Sequence, residues 1–78
     1  MGPFIYENNL DLEIKVYLNK QHFAISIESD VYSFDLEKLL NDNIGFCVNW
    51  WYTIIQYNID PIEFRVFCKK LAKNKAFL

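Results

Sequence analysis

Two neighbouring segments of this chain alternate between apolar and polar residues, and that pattern restricts its first half to a β-hairpin. Residues 10–18 carry an aliphatic side chain at every second position, and residues 23–29 repeat the pattern. A period of two is typical of half-buried strands. The four polar residues between the segments, 19–22, match a common hairpin loop length. Residues 4–7 predict a short edge strand beside this hairpin.

The loop length also predicts the register of the hairpin. It pairs Leu18 with Phe23, which places Glu13 opposite Glu28 and Asp11 opposite Asp30 on the solvent face. Like charges directly opposite one another destabilise a ladder. We therefore expect a positive group there, either a basic partner protein, a hard cation or the chain's own lysine-rich end, unless the acids form an ordinary solvated face. Calcium loops bring glycine and closely spaced ligands, which this hairpin lacks, so a basic partner is favoured over a metal. The four carboxylates concerned are Asp11, Glu13, Glu28 and Asp30.

Start signals predict two helices in the second half. Residues 33–35 resemble a helix entry with the aspartate as cap, and residues 41–45 favour its end. The last helix has the clearer signal, with Asp60 as N-cap, Pro61 at the first position and Glu63 at the third. An apolar stripe then follows at helical spacing and predicts the buried side of this helix: Phe64, Phe67, Cys68 and Leu71.

Residues 46–58, between these two helices, fit two kinds of element. Their β-branched and aromatic content favours a strand, whereas Asn49 as a cap and the helical spacing of later apolar residues favour a helix. Periodicity alone does not settle so short a run, and we expect a helix over residues 50–58. Adjacent helical positions point about 100° apart. Trp50 and Trp51 are therefore expected to differ, one in the core and one an exposed anchor for a partner, the alternative being that both are partly buried.

The charges of the chain are divided unevenly. Residues 1–63 hold ten acids and three cations, a charge of −7, whereas residues 64–78 hold five cations and no acid, a charge of +5. The basic end could neutralise phosphates while Phe67 or Phe77 stacks on bases. The chain is acidic overall, with a pI near 5.2, which favours an ordinary amphipathic helix over a nucleic-acid site. The cations of this alternative site are Arg65, Lys69, Lys70, Lys73 and Lys75.

No catalytic signature accompanies the few reactive side chains. Cys47 and Cys68 both stand among apolar residues, where a thiol is unreactive, and His22 is the only histidine. Two glycines provide no phosphate-binding loop. No signal peptide is recognisable, so we expect two free thiols in a cytoplasmic protein. The uncharged residues 43–59 are too short and too polar to span a membrane.

These observations predict one α+β domain over residues 1–78. Its antiparallel sheet of two or three strands, an N-terminal hairpin, is expected to be packed on one face by two or three C-terminal helices. Hydrophobic residues make up 53% of so short a chain, so we expect some to form an interface, in a homodimer or with another protein.

The expected function is binding without catalysis, cofactor or metal. A small acidic module could block a basic surface on a partner enzyme, as immunity proteins, antitoxins and phage anti-defence inhibitors do. That comparison rests on size and charge alone. The alternatives are a nucleic-acid-binding domain that uses the basic end and a homo-oligomeric scaffold protein. The expected partner-binding residues are Asp11, Glu13, Glu28, Asp30, Trp50 and Trp51.

Overall fold

The computed structural model describes residues 2–75 of the chain, with side chains as far as residue 74. The chain divides into two compact units, Met1–Leu36 and Glu37–Leu78. The expectation of one domain stays a prediction. The elements in order are β1 (Phe4–Ile5), β2 (Ile14–Leu18), β3 (His22–Ile27), β4 (Asp30–Asp35), α1 (Leu36–Leu40), α2 (Ile44–Ile55) and α3 (Pro61–Lys75).

The first unit contains an antiparallel sheet in the order β1-β2-β3-β4. Strands followed by helices confirm the α+β class, with four strands where two or three were expected. The predicted hairpin register is confirmed, since Leu18 pairs with Phe23 and Ile14 with Ile27. The predicted edge strand is also present as β1. One face of the sheet is buried, as the alternation required: Ile14, Val16, Leu18, Phe23, Ile25, Ile27 and Phe34.

Strand β4 was not predicted, because residues 33–35 resemble a helix entry. A two-residue turn at Glu28 and Ser29 instead reverses the chain, so that Asp30 pairs with Ile27. Phe34 then lies opposite Phe23, with ring centroids 5.3 Å apart. Helix α1 begins directly after this strand, so the position of the helix start was right although the residues before it are extended.

Helix α2 has the predicted type but starts earlier than predicted. Asn43 is its N-cap, and the side-chain oxygen accepts a hydrogen bond from the backbone N–H of Phe46 at 3.0 Å. The expected cap, Asn49, lies inside the helix, and Gly45 belongs to its first turn instead of ending α1. The chain leaves the preceding helix through Asp42, whose φ of 54° is left-handed.

Helix α3 begins as its sequence predicts. The Oδ1 atom of Asp60 accepts hydrogen bonds from the backbone N–H groups of Ile62 and Glu63 at 3.0 and 3.1 Å. The predicted stripe is buried at Phe64 and Cys68, and the buried face continues to Ala72, whereas Phe67 and Leu71 are half-buried. Among residues 2–75, no helix is long and apolar enough to cross a membrane.

Removing the Asp60 cap should destabilise the protein by about 1 kcal/mol, since two amides at the start of α3 lose their acceptor. Asp60→Asn should retain most of the stability, because asparagine caps about as well as aspartate. Urea unfolding of Asp60→Ala, Asp60→Asn and the wild type measures both effects. An unchanged free energy of unfolding in Asp60→Ala would contradict this role of the cap.

Replacing Glu28 by glycine should stabilise the protein by about 0.5–1 kcal/mol, because the φ of Glu28 is 55° and only glycine adopts that region without steric cost. The same change at Ser29, whose φ is not positive, should destabilise the protein by adding entropy to the unfolded chain. Thermal unfolding of the two variants should therefore give shifts of opposite sign. Equal shifts would mean that the turn is not strained at Glu28.

Candidate protein-binding surfaces

Helix α2 is apolar on two opposite sides. Phe46, Trp50 and Ile54 are buried on one side. The other side leaves large apolar side chains in solvent, including Ile44 at 80% exposure and Tyr52 at 72%. Helical geometry places the exposed residues within about 100° of arc, because their spacing is four, three, one and three residues. We call this set the outer face of α2: Ile44, Val48, Trp51, Tyr52 and Ile55.

The outer face of α2 is also free of charge. The helix has no acid in its first turn and no base in its last, and no charged residue occurs in residues 43–59. Charged side chains usually cover the solvent side of a surface helix. Monomeric proteins rarely expose a contiguous apolar patch of this kind unless it binds something.

Trp50 determines which side of α2 is buried. Its indole Nε1 donates a hydrogen bond of 2.7 Å to the carbonyl oxygen of Pro61, in the first turn of α3. Its ring centroid lies 5.8 Å from that of Phe46 and 5.2 Å from that of Phe64. With Trp50 held in this way, the residues of the outer face project from the opposite side of the helix.

The two tryptophans differ in burial, as expected for one residue in the core and one exposed residue. Trp50 is 1% exposed and Trp51 is 43% exposed, so Trp51 is the one that a partner can contact. Tryptophan and tyrosine are enriched among the residues that dominate binding energy in interfaces. Sequence reasoning missed Ile44 and Val48, because it began the helix at residue 50. With the helix starting at Ile44, the spacing alone would have revealed them.

The acidic residues of the first unit are only partly assembled as expected. Glu13 and Glu28 lie at the same end of the β2–β3 pair, where the N–H of Glu28 donates to the carbonyl of Glu13 at 2.9 Å. Asp30 begins β4 opposite Ile27, so the expected pairing of Asp11 with Asp30 is wrong. We call Glu13, Glu28 and Asp30 the acidic sheet end; all three are exposed.

Asp11 lies in the loop before β2, where Asn8 prevents the strand from starting at residue 10. The side-chain oxygen of Asn8 accepts hydrogen bonds from the N–H groups of Leu10 and Leu12 at 3.0 and 3.1 Å. Asp11 itself has a left-handed φ of 58°. The loop therefore takes Asp11 out of the ladder. In the sequence, Asn8 was a local sign of this loop, and the alternation of apolar and polar residues outweighed it.

One cation partly neutralises the acidic sheet end. The Nζ of Lys15 lies 3.3 Å from Oε1 of Glu13, and both side chains remain accessible to solvent. Exposed ion pairs of this kind contribute little to stability. The Glu13 carboxylate therefore stays accessible from solvent despite its pair with Lys15.

Two of the cations expected on a nucleic-acid surface have partners inside the second unit. Lys69 donates to both carboxylate oxygens of Asp42, at 2.9 and 2.7 Å, and this hydrogen bond lowers the pKa of Asp42 below its usual value. The Nη1 of Arg65 donates to the Sγ of Cys47.

Lys70 and Lys73 are exposed. Of the other residues in that prediction, Phe67 is half-buried, whereas the Lys75 side chain and Phe77 lie outside the described residues.

The cysteines are both free. Cys68 is buried as expected, and burial raises the pKa of its thiol far above the usual range. Cys47 departs from the expected apolar surroundings, because it contacts Arg65. His22 is exposed on β3 in the first unit. Within residues 2–75, no group of His, Cys, Asp and Glu is arranged to hold a metal ion.

Comparison with known proteins finds no match for this chain among protein-family models, curated proteins or solved structures. The features of the chain that bear on its function are therefore its own surfaces, the outer face of α2 and the acidic sheet end.

The two tryptophans should respond differently to the same substitution. Trp50→Phe should cost about 2 kcal/mol, because it leaves a cavity and removes the hydrogen bond to Pro61. Trp51→Phe should change the free energy of unfolding by less than about 0.5 kcal/mol, as surface substitutions usually do. Urea unfolding monitored by circular dichroism measures both values. Similar losses in the two variants would contradict the assignment of Trp51 to an exposed face.

Neutralising Glu13 and Glu28 together by glutamine should leave the free chain equally stable or slightly more stable, because two adjacent negative charges are removed and the exposed Lys15 pair contributes little. A basic partner should then associate more slowly, most visibly at low salt. Thermal unfolding tests the first expectation. A clear loss of stability would mean that the acids are held by pairing within the fold.

Proposed function

We propose that this chain is a non-catalytic protein-binding module that contacts its partner through the outer face of α2. The observation that supports this most is the exposure of five large apolar side chains on one uncharged helical face. Such a face gains free energy when it is covered, at roughly 25 cal/mol per Å² of apolar surface removed from water.

The outer face of α2 is held rigid enough to serve as a recognition surface. It lies on a regular 12-residue helix, and Trp50 fixes that helix by its contacts with Phe46, Phe64 and Pro61. A preorganised surface loses little conformational entropy on binding. The ring of Trp51 adds a large contact area with few rotatable bonds, which is the property of interface anchors.

The acidic sheet end, a separate surface, supports the finer proposal that this module also binds and inhibits an enzyme with a basic surface. Complementary charge accelerates association and orients the partners, while apolar contacts determine how long they stay together. Glu13, Glu28 and Asp30 would supply the first of these roles. Immunity, antitoxin and anti-defence roles remain analogies of size and charge. We also propose a cytoplasmic location, which the two free thiols support.

A nucleic-acid-binding role is a weaker alternative. Lys69 is paired with Asp42, and Arg65 contacts Cys47, so two of the five candidate cations already have partners. Salt dependence of binding to a labelled oligonucleotide would distinguish this alternative, because phosphate binding weakens steeply with salt.

The proposed function is tested by affinity capture from the cell of origin followed by mass spectrometry, with three baits. Val48→Glu places a charge in the outer face of α2, and Val31→Glu makes the same change at another exposed valine, on β4. We expect a partner retained by the wild type and by Val31→Glu and lost by Val48→Glu. Retention of every partner by a folded Val48→Glu variant would contradict the proposal.

A further inference from the structure

We propose that the protein covering the outer face of α2 is a second copy of this chain, so that two α2 helices pair across a twofold axis. This inference rests on the proposed function, because it names the occupant of the same surface. Three properties of the outer face support it, namely its spacing, its neutrality and its size.

The spacing of the outer face matches a helix-pairing seam. Ile44, Val48, Trp51 and Ile55 follow one another at intervals of four, three and four residues. That is the alternation of the a and d positions of a heptad, which brings one stripe of side chains against a facing helix. Tyr52 flanks the seam on one side. A second α2 helix presents the same stripe, and a twofold interface requires such self-complementarity.

The neutrality of the outer face favours a second copy over other occupants. Two copies of a chain with net charge −2 repel each other, and this repulsion is least where residues 43–59 meet, because they carry no charge. A basic partner would gain no electrostatic complementarity there. A lipid surface is disfavoured as well, because helices that lie on membranes usually carry lysine and arginine on their polar face.

The size of the outer face suits a weak dimer. Taking roughly 150–250 Å² for a large side chain, the exposed fractions leave on the order of 500 Å² per copy. Two copies then bury on the order of 1,000 Å², the lower limit for a specific interface. We therefore expect a weak dimer, with the ring of Trp51 near its centre.

Sedimentation equilibrium of the purified full chain over a wide concentration range tests the proposal. We expect a monomer–dimer equilibrium for the wild type and for the control Val31→Glu. Val48→Glu should weaken the dimer at least about a hundredfold, because the twofold axis makes each substitution count twice and each buries an unpaired charge. Dimerisation should also change little between about 0.05 and about 0.5 M salt, since the interface carries no charge.

Fluorescence provides a second readout of the same equilibrium. The emission of Trp51 should shift to shorter wavelength as the dimer forms, and Trp51→Phe should abolish that shift while Trp50 stays buried. Circular dichroism spectra and melting temperatures of Val48→Glu like those of Val31→Glu would show that lost dimerisation does not reflect unfolding. If Val48→Glu fails to fold, Trp51→Ala at the same seam takes its place.

Four outcomes would overturn the proposal. A wild-type monomer at every concentration excludes the second copy, as does a dimer that Val48→Glu and Val31→Glu weaken equally. A dimer unaffected by Val48→Glu, or by Trp51→Ala where that replaces it, places the interface elsewhere. A wild type that stays monomeric in solution but sediments with neutral phosphatidylcholine vesicles assigns the outer face to lipid.

The capture experiment separates a failure of this inference from a failure of the proposed function. A monomeric wild type whose captured partner is lost in Val48→Glu keeps the protein-binding function and replaces the second copy by another protein. A monomeric wild type that keeps every partner in Val48→Glu contradicts both proposals.

Discussion

The packing of the second unit depends on the contacts that the indole of Trp50 makes. The indole joins α2 to the start of α3 through one hydrogen bond, to the carbonyl of Pro61, and through its ring contacts with Phe46 and Phe64. These contacts fix the rotation of α2 about its own axis. Because α2 is apolar on both sides, burying either side would remove a similar amount of apolar surface from water. The specific partners of Trp50 determine which side is buried.

The exposure of the outer face follows from that choice. Residues 43–59 contain no charged side chain, so the solvent side of α2 lacks the charges that usually cover a surface helix. A helix of this composition is usually buried all round. Here one side is exposed, and its coverage by a second protein, as proposed, would account for a chain that is 53% hydrophobic and only 78 residues long. The acidic sheet end belongs to the other unit and differs in chemistry, which suits it to electrostatic attraction rather than apolar contact.

Much of the fold could be predicted because its signals are local. The alternation in residues 23–29 and a four-residue loop specified the β2–β3 register, and Asp60 with Pro61 specified the start of α3. The errors arose where a local hydrogen bond overrides a pattern. Asn8 holds the loop before β2 and shortens the predicted strand, and Asn43 caps α2 six residues before the predicted cap, Asn49. Asparagine is common in loops as well as at caps, so its role is not determined until its partners are known.

The candidate site could be predicted only in part, for the same reason. The contrast between Trp50 and Trp51 follows from helical geometry alone. Ile44 and Val48 could not be assigned to the outer face without the correct start of α2, because a helix begun at residue 50 contains neither of them. The acidic sheet end was predicted from register, and it lost Asp11 because the ladder ends at Ile14 and Ile27.

The most direct test of pairing through the outer face of α2 is an isotope-filtered nuclear Overhauser experiment on an equal mixture of labelled and unlabelled chains at high concentration. Such a spectrum records only contacts between different copies. If two α2 helices pair through their outer faces, we expect cross-peaks from the Trp51 ring of one copy to the methyl groups of Ile44, Val48 and Ile55 in the other. Intermolecular cross-peaks confined to other residues, or none at concentrations where every copy should be paired, would contradict this pairing.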